Sequence, residues 1–307
     1  MTLQATLDEI HDAVRPYLGE GKVAQYIPAL ATADPKKFAI AAVTVDGEQF
    51  VSGDADHRFS LQSISKVFTL TLALNGVGAD LWKRVGREPS GSPFNSLVQL
   101  EYELGIPRNP LINAGALVVT DVIVSRCGKS LSPIETILGF IRTRAGNDAI
   151  AVDEEIARSE AGTGFRNAAM GNFIKSFKNL ENDVAAVLDV YFKQCSITVS
   201  CRELSRSMLY LANGGVDPMS GERVVAPERA RRINAIMLTC GHYDASGDFA
   251  FRVGLPGKSG VSGGIVAVVP GKMALAVYSP GLNEQGNSQV GTLALEMFAA
   301  RTGNSIF

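Results

Sequence analysis

The sequence predicts an α/β protein of the α+β kind: an antiparallel sheet built from both chain ends, with flanking helices and an inserted all-helical region. Three observations carry this. Near the N-terminus, "KFAIAAVTVDGEQFVSGD" sets two β-rich runs around the turn "VDGE", which is a hairpin pattern. Near the C-terminus, "GGIVAVVPGKMALAVYSP" repeats that pattern around "PGK". Between them, from about Phe68 to Arg232, apolar residues recur at helical spacing, punctuated by Gly, Pro and Asn.

In chain order, "MTLQATLDEIHDAVRPYL" opens an amphipathic helix, with Leu3, Leu7, Ile10 and Val14 on one face. The first hairpin follows. "SLQSISKVF" then leads into "TLTLALNGVG", a buried apolar helix. "SPIETILGFIRTRAG", "MGNFIKSFKN", "DVAAVLDVYFKQCS" and "SCRELSRSMLYLANGG" are further helical segments. "GDFAFRVGLP" reads as one more strand before the second hairpin, and "SQVGTLALEMFAARTG" closes the chain as a helix. With no internal repeat or flexible linker, residues 1–307 read as one unit. Its sheet subdomain covers about 1–67 and 233–307, and its helical subdomain about 68–232.

A chain of 307 residues supports a substantial core, and 20% charged residues is ordinary for a globular protein. A net charge of −2 gives no reason to expect a nucleic acid or an anionic membrane as partner. The most apolar run, "INAGALVVTDVIVSRCG", is interrupted by Asp121 and is too short for a bilayer span. No basic segment followed by an apolar one marks the N-terminus as a signal peptide. The four cysteines, Cys127, Cys195, Cys201 and Cys240, form no CxxC pair. They read as buried free thiols rather than a metal site or disulfide framework, and the expected location is the cytoplasm.

Two short motifs carry chemistry. Ser63 and Lys66 stand at i and i+3 where a helix begins, so they share a face. A serine hydroxyl needs a base, and a lysine serves when burial lowers its pKa. Ser60 is the expected helix cap, and Ser65 is structural. Much later, Lys258-Ser259-Gly260 opens a C-terminal strand whose glycines allow a close backbone approach to a ligand. Neighbouring matches are false leads. "GLPGKS" lacks the first P-loop glycine, because Arg252 occupies that position. "GVSGG" precedes a strand, so Ser262 is a loop residue and not a nucleophile elbow. His11, His57 and His242 provide no evident triad base, which leaves a lysine or tyrosine. His11 lies in the first helix, His57 in a polar loop, and His242 beside Tyr243 in "CGHYDASG". S-x-x-K followed by K-[ST]-G at a strand start is the pairing of serine acyl-transfer enzymes with the β-lactamase and penicillin-binding-protein architecture.

"QSISKVF", "EPSGSPFNS", "NPLINAGA", "SEAGTGFRNAAM", "YFKQCSI" and "GHYDASGDFAFRVGLPGKSGVSGG" resemble the serine-dependent glutaminase family, from about Tyr26 to the C-terminus. The resemblance implies hydrolysis of L-glutamine to L-glutamate and ammonia, with no metal or organic cofactor. It implies Ser63 as nucleophile, with Lys66 and Tyr243 in the proton-transfer network, which one acts as base in each step being open. Asn113 would line the site. Glu160, Asn167 and Tyr191 would hold the α-amino and α-carboxylate end. The N–H groups of Ser63 and Val261 would form the oxyanion hole. Members of that family form homo-oligomers, a tetramer or dimer. They usually read "GMYD" and "KSGVGGG", so His242 and Ser262 are departures. The competing readings are a β-lactamase or peptidase of the same fold and a glutamine-binding module without catalysis.

Overall fold

The computed structural model describes residues 2–90, 97–128 and 130–307. Helix α1 (Leu3–Val14) starts at Thr2, whose side chain accepts the Ala5 N–H. Its Leu7, Ile10 and Val14 are fully buried. Strands β1 (Ala39–Thr44) and β2 (Gln49–Gly53) form the expected hairpin, and β3 (Phe59–Ser60) follows. The helical portion comprises α2 (Ser65–Val77), α3 (Val98–Tyr102), α4 (Asn113–Cys127), α5 (Pro133–Ala145), α6 (Glu154–Thr163), α7 (Phe165–Ser176) and α8 (Val184–Cys195). After β4 (Thr198–Val199) come α9 (Cys201–Ser207), α10 (Leu209–Ala212), α11 (Pro227–Cys240) and α12 (Ser246–Arg252). The chain ends with β5 (Gly257–Ser259), β6 (Gly264–Val269), β7 (Met273–Tyr278) and α13 (Gln289–Thr302).

The main sheet has the order β2-β1-β7-β6-β5, antiparallel throughout. Its central pairing, Ala39 opposite Tyr278 through Thr44 opposite Met273, joins the two chain ends. The sheet is covered on both faces, which explains why its central strands read as continuous apolar runs. Ile40, Ala42, Ile265, Ala267, Leu275 and Val277 face α1 and α13. Ala39, Ala41, Val266, Val268, Ala274 and Ala276 face α9, α10 and the helical portion. At the centre of that portion, α2 packs on α4, α5 and α11, with Val67, Phe68 and Leu70 fully buried.

Three sequence expectations change. "GDFAFR" forms α12 rather than a strand: Phe249 and Val253, one helical turn apart, are buried, whereas Phe251 between them is 91% exposed. Ser60 is no cap, since it lies in β3 and the start of α2 has no side-chain cap bond. The inserted region is not all-helical, because β4 pairs with β3 through Phe59 opposite Val199. That ribbon anchors the segment entering α2. Of the block "EPSGSPFNS", residues 91–96 lie outside the described residues.

The turn between β5 and β6 is pressed against the segment entering α2. A Cβ on Gly260 would stand 2.8 Å from the Leu61 carbonyl oxygen, so the approach requires glycine. Gly260→Ala is expected to destabilise the fold by about 1–3 kcal/mol. Equilibrium denaturant unfolding checks this, and an unchanged midpoint would show that the turn yields freely.

Candidate active site

Ser63 sits in a 3-10 turn, Gln62–Ile64, that runs into α2. The preceding residue, Gln62, is held at φ 48°, a left-handed conformation that an L side chain adopts at a cost. Ser65 supports the turn, its Oγ donating to the Gln62 carbonyl at 2.7 Å. Lys66, the second residue of α2 and one turn after Ser63, is fully buried. Its Nζ donates to Ser63 Oγ at 3.0 Å and to Asn113 Oδ1 at 2.7 Å. Asn113 begins α4, and its Nδ2 donates to Asn167 Oδ1 on α7 at 3.1 Å. Neither Glu160, inside α6, nor Asn167, inside α7, serves as a cap. Tyr191, on the buried face of α8, places its ring centroid 5.9 Å from Lys66 Nζ.

The opposite wall comes from the sheet. Tyr243 opens a 3-10 turn after α11 and is held at φ 56°. Its hydroxyl donates to the Ser259 carbonyl at 3.4 Å and also hydrogen-bonds the Ser63 side chain. Val261 lies in the turn after β5, and its N–H enters no hydrogen bond of that turn among the described residues. Ser262 donates its Oγ to the Ser60 carbonyl at 2.7 Å, which ties this turn to β3. Ser63, Asn113, Glu160, Asn167, Tyr191 and Val261 line one cavity of about 520 Å³. Lys66 and Tyr243 lie immediately behind Ser63.

Burial sets the charges. It lowers the Lys66 pKa to about 8, with Cys195 and Glu160 opposing the shift. It raises the Glu160 carboxyl to about 7, with a Gln62 hydrogen bond and the Lys66 charge opposing. It pushes Tyr243 above the usual phenol range, with the Ser63 hydrogen bond opposing. Lys258, fully buried, is held well below the usual range by burial and by Lys66. Its Nζ donates to the carbonyls of Gly241 at 2.9 Å and Ser259 at 2.5 Å, and lies 4.5 Å from the Tyr243 ring centroid.

Sequence reasoning missed Tyr26, Gln62, Arg166 and Cys195, which share the cavity wall. Cys195 was within reach of the pattern, being four residues after Tyr191 on one helix face. Gln62 adjoins Ser63. Tyr26 comes from a segment with no periodicity, and only the fold brings it to the mouth. Among the described residues, no group of three His, Cys, Asp or Glu side chains is placed to hold a metal ion.

A serine paired with a buried lysine at the head of the central helix, beside an antiparallel sheet joining both termini, defines a hydrolase of the β-lactamase-like fold class. The particular family follows from comparison. The model of the family described as Glutaminase matches residues 21–307, and the chain belongs to that family. A thermolabile glutaminase of Rhizobium etli is 61% identical over 305 residues, spanning 99% of this chain and 98% of that protein. A glutaminase of Rhizobium leguminosarum bv. trifolii is 60% identical over the same span. Among solved structures, the probable glutaminase YbaS superposes with a TM-score of 0.91 at 39% identity, covering 100% of this chain and 99% of its own. A probable glutaminase from Bacillus subtilis, complexed with 6-diazo-5-oxo-L-norleucine, gives 0.89 at 34% identity, covering 100% and 97%.

The Lys66 charge predicts a titration at Ser63. Acylation of Ser63 by an activated ester is expected to speed up as pH rises through about 8, where Lys66 loses its proton. Glu160 favours the ammonium form of Lys66, so Glu160→Gln should move this inflection to lower pH. Stopped-flow acylation rates test both, and a profile without an inflection near 8 would remove Lys66 as the base.

Proposed function

We propose that this enzyme, a glutaminase that hydrolyses L-glutamine to L-glutamate and ammonia, works through an acyl-enzyme on Ser63. The observation that carries the mechanism is the 3.0 Å contact between Lys66 Nζ and Ser63 Oγ at the wall of the cavity. In its neutral form Lys66 accepts the Ser63 proton as Oγ attacks the side-chain amide carbon. Negative charge gathers on the former carbonyl oxygen, which the Ser63 and Val261 N–H groups receive. Tyr243, on the far side of Ser63, passes a proton to the departing nitrogen and is recharged by protonated Lys66. The C–N bond breaks, ammonia leaves, and an ester to Ser63 remains. Water then gives up a proton to the same network, attacks the ester and releases glutamate. Lys66 suits the base role better than Tyr243, because burial lowers its pKa towards neutrality and raises that of the phenol.

The substrate's other end also finds partners. Its ammonium requires an acceptor, which ionised Glu160 provides. Its carboxylate requires donors, which Asn167 and Tyr191 provide. The ammonium in turn favours the charged form of Glu160, offsetting the burial that raises its pKa. The B. subtilis relative solved with 6-diazo-5-oxo-L-norleucine and a relative solved in a glutamate form support an amino-acid ligand of this length in this cavity.

A homo-oligomer, dimer or tetramer, is also proposed. Val98, Tyr102, Leu104 and Ile106 expose apolar side chains in one stretch, with Phe177 packed beside Gly105. A second copy would cover them. A cytoplasmic location is proposed because the four cysteines are buried and free of disulfides. Recovery in a periplasmic fraction would refute it. No helix among the described residues is long and apolar enough to cross a membrane.

Ser63→Ala is expected to lower kcat by about 10⁴-fold or more while leaving the fold intact. Ammonia release with retained circular dichroism measures this, and near-native turnover would refute the acyl-enzyme. Glu160→Gln should raise KM by about 10²–10³-fold with a smaller change in kcat. Sedimentation of wild type and Tyr102→Lys tests the assembly, and a monomeric wild type would refute it.

A further inference from the structure

His242 departs from the family pattern at the residue before Tyr243, and its surroundings are unusual for a histidine. The ring is 1% exposed and lies flat on Phe249, with centroids 3.5 Å apart and planes 12° apart. On another side it presses against β5, where a Cβ on Gly257 would stand 2.8 Å from its Cε1. Neither ring nitrogen has a hydrogen-bond partner among the described residues. The backbone, in contrast, is firmly held. The His242 N–H donates to Ser246 Oγ at 3.0 Å, and its carbonyl accepts from Asn287 Nδ2 at 3.2 Å. The ring thus fills its place as an uncharged plate, and the next residue is Tyr243 in its left-handed conformation.

We propose that His242 is a positioning residue for Tyr243: its neutral ring, wedged between Phe249 and Gly257, holds the 242–243 segment in the geometry that brings the phenol to Ser63, and protonation releases it. The proposal rests on the role given to Tyr243 above. None of the ionisable groups around the ring is a buried carboxylate that would favour the charged form. Lys258 on β5 is the cation that acts on it. Tyr243, in its own turn, and Cys240, at the end of α11, are buried and neutral at pH 7. Asp244 and Asp248, on the same stretch, and Glu284, in the adjoining loop, are exposed. A proton on the ring would therefore create a second buried cation with no buried carboxylate to receive it, which a packed interior expels.

The sign of the effect follows. An unfolded histidine takes up a proton near pH 6.5. In the folded protein, burial and Lys258 hold the His242 pKa well below that. The stability associated with the neutral ring is then fully present above about pH 6.5 and is lost as pH falls towards the folded value. A left-handed tyrosine persists only while its surroundings over-determine it, so it is a sensitive point for such a loss.

The test compares wild type with His242→Met and His242→Gln, neither of which can take up a proton. Protonation of Lys66 lowers kcat by about tenfold per pH unit below about 8 in all three proteins, and below the folded pKa of His242 the wild type is expected to lose about a further tenfold per unit that the variants do not lose. The variants' melting temperatures should likewise fall less between pH 7 and pH 5. The KM rise that accompanies protonation of Glu160 should appear in all three proteins. Variants that keep the wild-type acid limb of kcat would overturn the proposal, as would variants that lose kcat equally at every pH. A third measurement needs no variant. Hydrogen exchange of wild-type residues 242–246, corrected for intrinsic rates, should lose protection on acidification ahead of α13, and unchanged protection would overturn the proposal. Tyr243→Phe separates the two readings: near-native kcat there would refute the role of Tyr243, while the exchange result would still report on His242.

Discussion

An ammonium group loses its hydration when buried, and Lys66 is fully buried with neutral oxygens at hydrogen-bond distance. Moving its pKa from the ordinary 10.5 to about 8 corresponds to about 3 kcal/mol of lost preference for the charged form. The same group on a solvated helix face would hold its proton up to about pH 10.5, so its neutral form would be far scarcer near neutrality. The site's chemistry depends on this desolvation, and the fold is what maintains it. Helix α2 runs through the middle of the helical portion, so its residues from Ser65 to Thr71, Lys66 among them, are all buried. Asn113 and Ser63 supply acceptors close enough to fix the amine without neutralising it with a carboxylate.

Two strained residues frame that amine. Gln62 and Tyr243 both hold positive φ, one on the helical side of Ser63 and one on the sheet side. Neither conformation would survive in an isolated peptide. Gln62 is held by Ser65 and by the turn carrying Gly260. Tyr243 is held by β5, by Lys258 beneath its ring and by the packing around His242. The serine is therefore presented between two braced segments that belong to different layers. Ser262 and His242 belong to this bracing. Ser262 adds a bond from the β5–β6 turn to β3, and His242 fills the space behind β5.

The legibility of the fold followed its regularity. Both hairpins, the first and last helices and the long helices between them were readable because their apolar spacing is uninterrupted. "GDFAFR" was misread because its Phe-Ala-Phe alternation imitates a strand over a stretch too short to show a helical period. The two-residue strands β3 and β4 give no periodic signal, and their pairing depends on residues about 140 positions apart in the chain, Phe59 and Val199. Serine before a helix is usually its cap, but Ser60 lies in β3, where pairing with β4 claims its backbone.

The sequence by itself determined the residue types and their order: a serine three positions before a lysine at a helix start, a later Lys-Ser-Gly at a strand, and the blocks that mark the family. Those are local or covalent facts, and a pattern can carry them. Only the tertiary structure decided that Lys66 is buried, with its pKa lowered to about 8, and that Lys258 sits under a tyrosine ring. It brought Tyr26 to the cavity and left the His242 ring nitrogens without hydrogen-bond partners among the described residues. The reason is physical. A side chain's charge state and reach depend on what surrounds it in space, and those neighbours come from segments that the sequence keeps far apart.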